Sequence, residues 1–175
     1  MPAWLRGCPC LVAGLGPVGL LAAMVLRLRG AEVFGLDIVP ESDGRVQWLE
    51  GIGGKYWKGP LQKYPQLMDI VVDASGVAAL EFHLIDALAP NAVYALTGIP
   101  GGDKTLTIEG AALLRQMVLG NQVMLGSVNA ARGHFQMAVD DLAAARRTWG
   151  EHAAKLITHR RTPEELIAAA GKRPA

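Results

Sequence analysis

The sequence contains few cysteines and almost no net charge, and each shortage excludes a class of protein. Its two cysteines, Cys8 and Cys10, cannot form the disulfide framework of a small secreted domain, and this usage is typical of a reducing compartment. The 17 basic and 16 acidic residues leave a net charge of +1, which lacks the basic excess of a nucleic-acid-binding protein. We therefore expect no nucleic-acid partner.

Long apolar runs are lacking as well. The run over residues 11–26 is interrupted near its start by Gly14, Gly16 and Pro17, whereas a membrane-spanning helix needs about 20 continuous apolar residues. The first ten residues carry neither the apolar stretch nor the small-residue cleavage site of a signal peptide. These absences predict a cytoplasmic protein with no membrane partner.

Short apolar runs alternate with amphipathic segments along most of the chain, whose 175 residues are enough for about one domain. The pattern predicts strands at residues 10–14, 31–37, 55–58, 69–73, 92–97 and 122–126. It predicts helices at residues 17–29, 45–50, 79–88, 109–119 and 132–149. Strands that alternate with helices imply a parallel sheet covered on both faces, so the predicted fold class is α/β, a doubly wound, six-stranded Rossmann sheet.

The segment after residue 150 follows a different pattern. We divide the chain into a nucleotide-binding Rossmann domain over residues 1–150 and a C-terminal segment over residues 151–175, in which residues 155–159 are predicted as a strand. Thr162, Pro163 and Glu165 then have the order of an N-cap, a first-turn proline and a capping-box glutamate, which predicts a short helix.

A glycine-rich motif follows the first predicted strand and opens the first predicted helix: Gly14, Leu15, Gly16, Pro17, Val18 and Gly19. In this dinucleotide-binding spacing the first glycine permits the tight turn, the second lets the backbone approach pyrophosphate, and the third lets the helix pack close to the strand. The N-terminus of the helix then offers free N–H groups to the phosphates. The competing interpretation is a glycine-rich structural turn.

Asp37 ends the second predicted strand, 18 residues after Gly19. A carboxylate there accepts the hydroxyls of the adenosine ribose and repels a 2′-phosphate, which favours NAD over NADP. Ile38 and Val39 follow it and are not basic, although Arg45 is close enough in sequence to reach a phosphate, so NADP stays an alternative.

Two further groups of residues follow strands and are expected at the ligand-binding edge of the sheet. Ser75 and Gly76 come after the clearest buried strand and are small enough to border a ligand. Ser127, Val128 and Asn129 come after the last strand, where Asn129 could bond a carboxamide or a substrate hydroxyl, or serve as a helix cap or turn residue. No catalytic residue and no metal site is predicted, because the four histidines and two cysteines lack metal-ligand spacing.

Several motifs in order resemble the medium-chain dehydrogenase/reductase superfamily: GLGPVG, DIVVDASG, ALTGIPGG, LGSVNAARGHFQMAVDDL and KLITHR. Within that superfamily the chain is similar to the C-terminal, nucleotide-binding half of archaeal-type glucose dehydrogenases. The resemblance implies that Leu15, Gly16, Pro17 and Val18 hold the pyrophosphate and that Asp37, Ile38 and Val39 surround the ribose. It further implies that Thr97, Gly98, Ile99, Ser127, Val128 and Asn129 line the nicotinamide end, with Asn129 also touching the sugar substrate.

The resemblance also implies parts that this chain does not supply. Family enzymes carry a catalytic domain that holds zinc and that is absent here, and residues 151–175 would lead back to it. The family implies a homodimer formed through the edge strand that starts at Gln122 and ends at Gly126. We therefore expect the NAD(P)-binding domain of a glucose-dehydrogenase-like oxidoreductase, inactive alone and joined by a separate catalytic domain. Whether the chain by itself is an enzyme stays open, and the alternative is a non-catalytic NAD(H)-sensing or interaction module.

Overall fold

A computed structural model describes residues 5–59, 63, 66–102 and 105–170. The strands are β1 (Pro9–Ala13), β2 (Glu32–Leu36), β3 (Lys55–Tyr56), β4 (Met68–Asp73), β5 (Leu88–Leu96) and β6 (Val123–Gly126). The helices are α1 (Pro17–Leu28), α2 (Gly44–Gly51), α3 (Ala78–His83), α4 (Gly110–Leu119), α5 (Arg132–Trp149), α6 (Glu151–Ala154) and α7 (Pro163–Ala170), and a 3₁₀ turn, Leu84–Ala87, follows α3.

In the described residues the six strands form one parallel sheet in the order β3-β2-β1-β4-β5-β6. The chain therefore runs outward from β1 to β3, crosses back to β4 beside β1, and runs outward again on the other side. This order confirms the predicted doubly wound fold. It also places a crevice between the ends of β1 and β4, where the direction of winding reverses.

Alternating side chains of each central strand enter two separate cores. On β1, Cys10 and Val12 pack under α1 and α2, whereas Leu11 and Ala13 face the opposite side of the sheet. Tyr94 of β5 is fully buried on that second side together with Leu84 of the 3₁₀ turn. Strands that bury both faces are characteristic of parallel sheets, which explains why the sequence shows continuous apolar runs.

Two predicted elements differ from the structure. The helix predicted over residues 79–88 ends at His83 and continues as a 3₁₀ turn, so that β5 begins at Leu88. Near the start of β5, Asn91 adopts a φ of 65° and donates its N–H to the carbonyl of Gly120 at 2.7 Å, and the register against β4 shifts there. The strand tolerates Pro90 because this irregular stretch lies outside the regular ladder.

The strand predicted over residues 155–159 is wrong: the structure has a turn and irregular chain there. A strand is stable only beside a partner that satisfies its backbone groups, and the sheet described here offers this segment none. The following helix is confirmed, because Thr162 Oγ1 accepts the N–H of Glu165 at 3.3 Å and Glu165 Oε2 accepts the N–H of Thr162 at 2.9 Å. The division at residue 150 stays a prediction.

Helix α6 is attached to the first core by a reciprocal pair of hydrogen bonds. Trp48 Nε1 donates to the carbonyl of His152 at 3.0 Å, and His152 Nε2 donates to the carbonyl of Trp48 at 2.9 Å. The two rings are stacked with centroids 6.0 Å apart, and a Cβ at Gly51 would meet the imidazole at 2.1 Å. Among the helices of the described residues, none has the length and apolarity needed to cross a membrane.

Candidate dinucleotide site

The glycine-rich loop between β1 and α1 is folded so tightly that two of its glycines cannot be replaced. Gly14 has a φ of 86°, and a Cβ on it would lie 2.8 Å from the backbone of Ala74. A Cβ on Gly19 would lie 1.8 Å from the carbonyl oxygen of Gly14, because helix α1 packs directly against the loop. By contrast, a Cβ on Gly16 would meet nothing within 4 Å, so the space beside this residue is open to a ligand.

Helix α1 begins with donors that its own residues leave unused. Gly16 is the N-cap and has no side chain to accept a hydrogen bond, Pro17 occupies the first position, and no acidic residue lies in the first turn. The N–H groups of a first turn have no acceptor within the helix, and the helix dipole makes this end positive. The open space beside Gly16 therefore adjoins a site that favours an anion such as a phosphate.

Asp37, at the end of β2, lies across the loop. Its Oδ2 accepts the N–H of Leu15 at 2.6 Å, and its Oδ1 accepts the N–H of Ile38 at 2.7 Å. Arg45 Nη1 is 3.8 Å from Oδ2, although the guanidinium is held mainly by Asp43, whose Oδ1 accepts from Nε at 3.0 Å. The carboxylate of Asp37 thus orders the loop and has the Arg45 guanidinium nearby.

The backbone around Asp37 is held by Tyr56, which the sequence analysis did not identify. The Tyr56 hydroxyl lies 2.6 Å from the carbonyl oxygens of both Asp37 and Val39 and donates its single proton between them. Burial raises the pKa of Tyr56, and the charge of Asp37 adds to this rise, so the hydroxyl keeps its proton at neutral pH. Val39 therefore has a structural contact here, while Ile38 is fully exposed.

A groove of 540 Å³ opens where the loop, β2 and β4 meet. It brings together five of the predicted residues, Gly14, Gly16, Asp37, Ile38 and Ser75. Seven further residues line the groove and are not predicted from the sequence: Leu36, Trp57, Lys58, Gly59, Ala74, Val77 and Leu80. A groove lined by an aromatic ring, apolar side chains and a carboxylate suits a nucleoside.

The turns after β4 and β5 are joined by the residue at the end of β4, the fully buried Asp73. Its carboxylate accepts from Ser75, while its carbonyl oxygen accepts from the Thr97 hydroxyl at 2.6 Å and from the Gly98 N–H at 3.1 Å. A Cβ on Gly98 would lie 2.3 Å from the backbone nitrogen of Gly76, so the two turns are in direct contact. The predicted groups at residues 75–76 and 97–98 therefore form one surface, and Ile99 stands exposed beside it.

Ser127, Val128 and Asn129 lie further along the same edge of the sheet, after β6. The N–H of Ser127 donates to the carbonyl of Leu96 at 2.9 Å, which continues the pairing of β5 with β6, and all three residues are exposed. The N-cap of α5 is Ala131, so the interpretation of Asn129 as a helix cap is wrong. Its roles toward a carboxamide or a substrate hydroxyl stay predictions.

The cysteines and histidines of the described residues have structural surroundings. Burial raises the pKa of Cys10 to about 12, so this thiol is protonated within β1. The four histidines bond to backbone or side-chain neighbours in separate places, at Trp48, Ala79, Ala131 and Thr158. In the part of the chain that the structure describes, no three histidine, cysteine or acidic residues come together as a metal site.

Comparison with protein families finds one model that matches residues 3–173, described as the glucose dehydrogenase C-terminus. The chain is 38% identical over 150 residues to glucose 1-dehydrogenase 2 of Vulcanisaeta moutnovskia, covering 86% of this chain and 43% of that protein. It is 35% identical over 151 residues to glucose 1-dehydrogenase of Thermoproteus tenax, covering 85% and 42%. The chain thus spans about two fifths of the length of these relatives.

Solved structures agree with this likeness. Glucose dehydrogenase of Haloferax mediterranei, determined in complex with NADP, zinc and gluconolactone, is 28% identical with a TM-score of 0.75, covering 84% of this chain and 43% of that one. An alcohol dehydrogenase of Thermotoga maritima has a TM-score of 0.77 at 20% identity and covers 96% of this chain and 47% of its own, a likeness that shows the fold alone. The described sheet is therefore the fold that these dehydrogenases share.

Proposed function

This chain belongs to the family of the glucose dehydrogenase C-terminus, and on that premise we propose that it is the NAD(P)-binding half of a zinc-type medium-chain oxidoreductase. The observation that carries the proposal is the loop over residues 14–19, where Gly19 packs on Gly14 and where Gly16, with open space beside it, lines the same groove as Asp37. This arrangement fits a dinucleotide, because it offers an unfilled space, a positive helix end and a ribose-binding acid next to one another.

The glycine-rich loop and the groove beside it would hold the dinucleotide in order along its length. Leu15, Gly16, Pro17 and Val18 would hold the pyrophosphate at the start of α1, and Asp37, Ile38 and Val39 would surround the ribose. The base would then lie in the rest of the groove, against the indole ring of Trp57. When bound, the nicotinamide accepts a hydride from a substrate.

The nicotinamide end would lie along the turns after β4, β5 and β6. Ser75 and Gly76 would border it on one side, and Thr97, Gly98 and Ile99 would continue the surface toward Ser127, Val128 and Asn129. We assign Asn129 the additional role of bonding a hydroxyl of the substrate. The exposed apolar side chains at this edge, Ile99 at 78% and Val128 at 78% exposed, support a surface that a ligand or a second domain covers.

We propose that the chain prefers NAD, because the carboxylate of Asp37 would repel a 2′-phosphate on the ribose. Arg45 reduces this repulsion, since its guanidinium is already 3.8 Å from Asp37, and it lets the site accept NADP with lower affinity. The Haloferax mediterranei enzyme was determined with NADP, so the two cofactors should be compared directly.

The hydride donor we propose is the hydroxyl of a sugar or an alcohol. Zinc would polarise that hydroxyl and would be held by a catalytic domain outside this chain, as the relatives' greater length and the zinc in the Haloferax mediterranei structure suggest. By itself the chain would bind cofactor and oxidise no substrate.

We also propose a homodimer in which β6 pairs with its counterpart in a second copy. The strand lies at the edge of the sheet, and its exposed apolar side chains include Val123 at 49% and Leu125 at 42% exposed. An edge strand of this kind is a template for pairing.

The binding proposal is tested by titrating the chain into NADH and NADPH and following nicotinamide fluorescence. We expect Asp37→Ala to weaken NADH binding by about 10- to 100-fold, because a charge-assisted hydrogen bond contributes about 1.5–3 kcal/mol, and to leave NADPH binding unchanged or improved. Asp86→Ala, which removes an exposed carboxylate from the 3₁₀ turn, should bind like the original chain.

Thermal unfolding followed by circular dichroism checks that Asp37→Ala still folds, since this residue also accepts the N–H of Leu15. A folded original chain that binds neither cofactor would overturn the proposal. So would an Asp37→Ala variant that is folded and binds NADH with unchanged affinity.

A further inference from the structure

Arg45, the cation that approaches Asp37, is held by a second acid. Asp43 is the N-cap of α2, and its Oδ1 accepts the backbone N–H of Arg45 at 2.8 Å and the Nε–H of the same residue at 3.0 Å. Asp43 Oδ2 accepts from Nη2 at 3.2 Å. The carboxylate therefore binds the guanidinium through both of its oxygens, a bidentate geometry that is stronger and more specific than a single bond.

The held guanidinium stops short of Asp37. Its Nη1 lies 3.8 Å from Asp37 Oδ2, which is longer than a hydrogen bond, and Oδ2 instead accepts the N–H of Leu15 at 2.6 Å. Arg45 lines a cavity beside Leu15 and Pro17, whereas the described residues that line the groove with Asp37 do not include it. The cation is thus next to the ribose-binding acid but outside the groove.

A 2′-phosphate on the ribose would compete with Asp43 for this guanidinium. A phosphate is an anion that arginine binds with two parallel N–H bonds, but Nε and Nη2 already donate to Asp43. The hydrogen bond from Arg45 lowers the pKa of Asp43, so the carboxylate is charged at neutral pH and opposes the release of the cation. With 41% of its side chain exposed, Arg45 has room to turn once it is released.

We propose that Asp43 determines the cofactor preference together with Asp37, because it holds Arg45 out of the groove and so keeps the guanidinium away from a 2′-phosphate. The inference rests on the proposed function for the identity of the ligand. Asp43 is a positioning residue that acts through Arg45. NAD carries a hydroxyl where NADP carries the phosphate, so Asp43 should affect the affinity for NADP more than that for NAD.

A second ion pair beside the groove offers a matched comparison. Lys58 lines the groove, and its Nζ lies 3.6 Å from Glu41 Oε1. These two side chains are 60% and 68% exposed, so solvent screens the pair and Glu41 restrains Lys58 weakly. The side chain of Asp43 is 27% exposed and makes three bonds to Arg45. Removal of the Glu41 charge should therefore alter cofactor preference less than removal of the Asp43 charge.

The test measures binding of NADPH and NADH to the full 175-residue chain by nicotinamide fluorescence at one ionic strength. Asp43→Asn is the informative variant, since asparagine caps a helix as well as aspartate does but carries no charge. We expect it to raise the ratio of NADPH affinity to NADH affinity about three- to fivefold, within the range that release of one partly exposed ion pair allows. Asp43→Ser, which also caps the helix, should give the same increase, and Glu41→Gln should change the ratio by less than about twofold.

Arg45→Ala shows whether the effect passes through the guanidinium. In that background Asp43→Asn should leave the ratio unchanged, because no cation remains to be released. Thermal unfolding followed by circular dichroism checks that every variant is folded. A merely structural role of Asp43, through a loosened start of α2, would weaken both cofactors together and leave their ratio as it was.

The outcomes separate this inference from the proposed function. A chain that binds NADH but whose ratio is unchanged by Asp43→Asn and Asp43→Ser would overturn the inference and leave the proposed function supported. An equal increase in Glu41→Gln, or an increase that persists without Arg45, would also overturn it. A folded chain that binds neither cofactor would overturn the proposed function and this inference with it.

Discussion

The two halves of the sheet, one around β1 to β3 and the other around β5 and β6, differ in how many of their residues are buried. In the half formed by β1 to β3, four of the five residues are buried in each of β1 and β2, and α1 buries five residues. In the half formed by β5 and β6, neither α4 nor β6 buries a residue, and of the 18 residues of α5 only Ala145 is buried. The first half is therefore well buried, whereas the helices and the edge strand of the second half leave most of their apolar residues exposed.

The apolar surface of the second half lies on its two long helices. The exposed side chains include Leu114, Val118 and Leu119 on α4 and Phe135 and Val139 on α5, each at least 60% exposed. Leu114 and Val118 are one turn apart on α4, as Phe135 and Val139 are on α5, and neighbouring exposed apolar side chains are typical of interaction sites. The half that carries the glycine loop thus buries most of its apolar residues, and the other half leaves large apolar side chains exposed.

The largest loss of stability should come from a single methyl group added in the half that carries the glycine loop. Gly19→Ala places a Cβ 1.8 Å from the carbonyl oxygen of Gly14, so we expect the free energy of unfolding to fall by at least about 4 kcal/mol. Gly133→Ala is the matched control in the first turn of α5, where a Cβ meets nothing within 4 Å. It should stabilise the chain by up to about 1 kcal/mol. Urea denaturation measures both, and equal losses would contradict the contrast.

Truncation of one leucine on each side gives the next effect. Leu49 of α2 is fully buried in the first core, so Leu49→Ala should lower the free energy of unfolding by about 3 kcal/mol. Leu114 of α4 is 63% exposed, and Leu114→Ala should change the free energy of unfolding by less than about 0.5 kcal/mol in dilute, monomeric protein. A loss at Leu114 as large as that at Leu49 would show that the half formed by β5 and β6 is packed in solution.

A charge on the edge strand should affect assembly more than folding. Leu125→Lys adds a cation to β6 at a side chain that is 42% exposed. We expect the dissociation constant of the dimer to rise at least tenfold, which corresponds to about 1.4 kcal/mol. Light scattering over a concentration series measures this. An original chain that stays monomeric at tens of micromolar would contradict the proposed dimer.

The smallest effect concerns the pH dependence of stability. A carboxyl whose folded pKa is raised stabilises the folded state fully below its unfolded pKa, and this contribution is lost as the pH rises through the folded pKa. Because the pKa of Glu81 is raised, the free energy of unfolding should decrease from pH 4.5 upward until Glu81 has ionised. Glu81→Gln should remove this part of the dependence of the unfolding free energy on pH, which urea denaturation at several pH values measures. A variant with the same pH dependence as the original chain would contradict the raised pKa of Glu81.

Local pattern predicted the fold because each element carries its own signal. The doubly wound parallel sheet follows from alternating elements and right-handed crossovers, and the glycine loop is defined by residues adjacent in sequence. Where backbone pairing decides, the pattern failed: residues 155–159 have the composition of a strand but no neighbouring strand in the described sheet. The early start of β5 also depends on a contact, the bond from Asn91 to Gly120.

The site could be predicted only where function depends on spacing. Gly14, Gly16 and Asp37 follow one another at the distances that a dinucleotide requires, and they meet in one groove. Trp57 gave no signal, since a single aromatic residue after a weak strand is unremarkable in sequence. It becomes significant because the fold places it in the groove that Asp37 also lines.

The reciprocal bonds between Trp48 and His152 bear on how this unit can be handled in the laboratory. Cutting the chain after Gly150 would remove the acceptor of the indole N–H and uncover Trp48, together with the places that Ala153 and Leu156 occupy beside the first core. A shortened version for crystallisation or domain exchange should therefore keep the chain through Leu156. Its junction should fall in the irregular stretch between that residue and α7, where no ladder or helix would be interrupted.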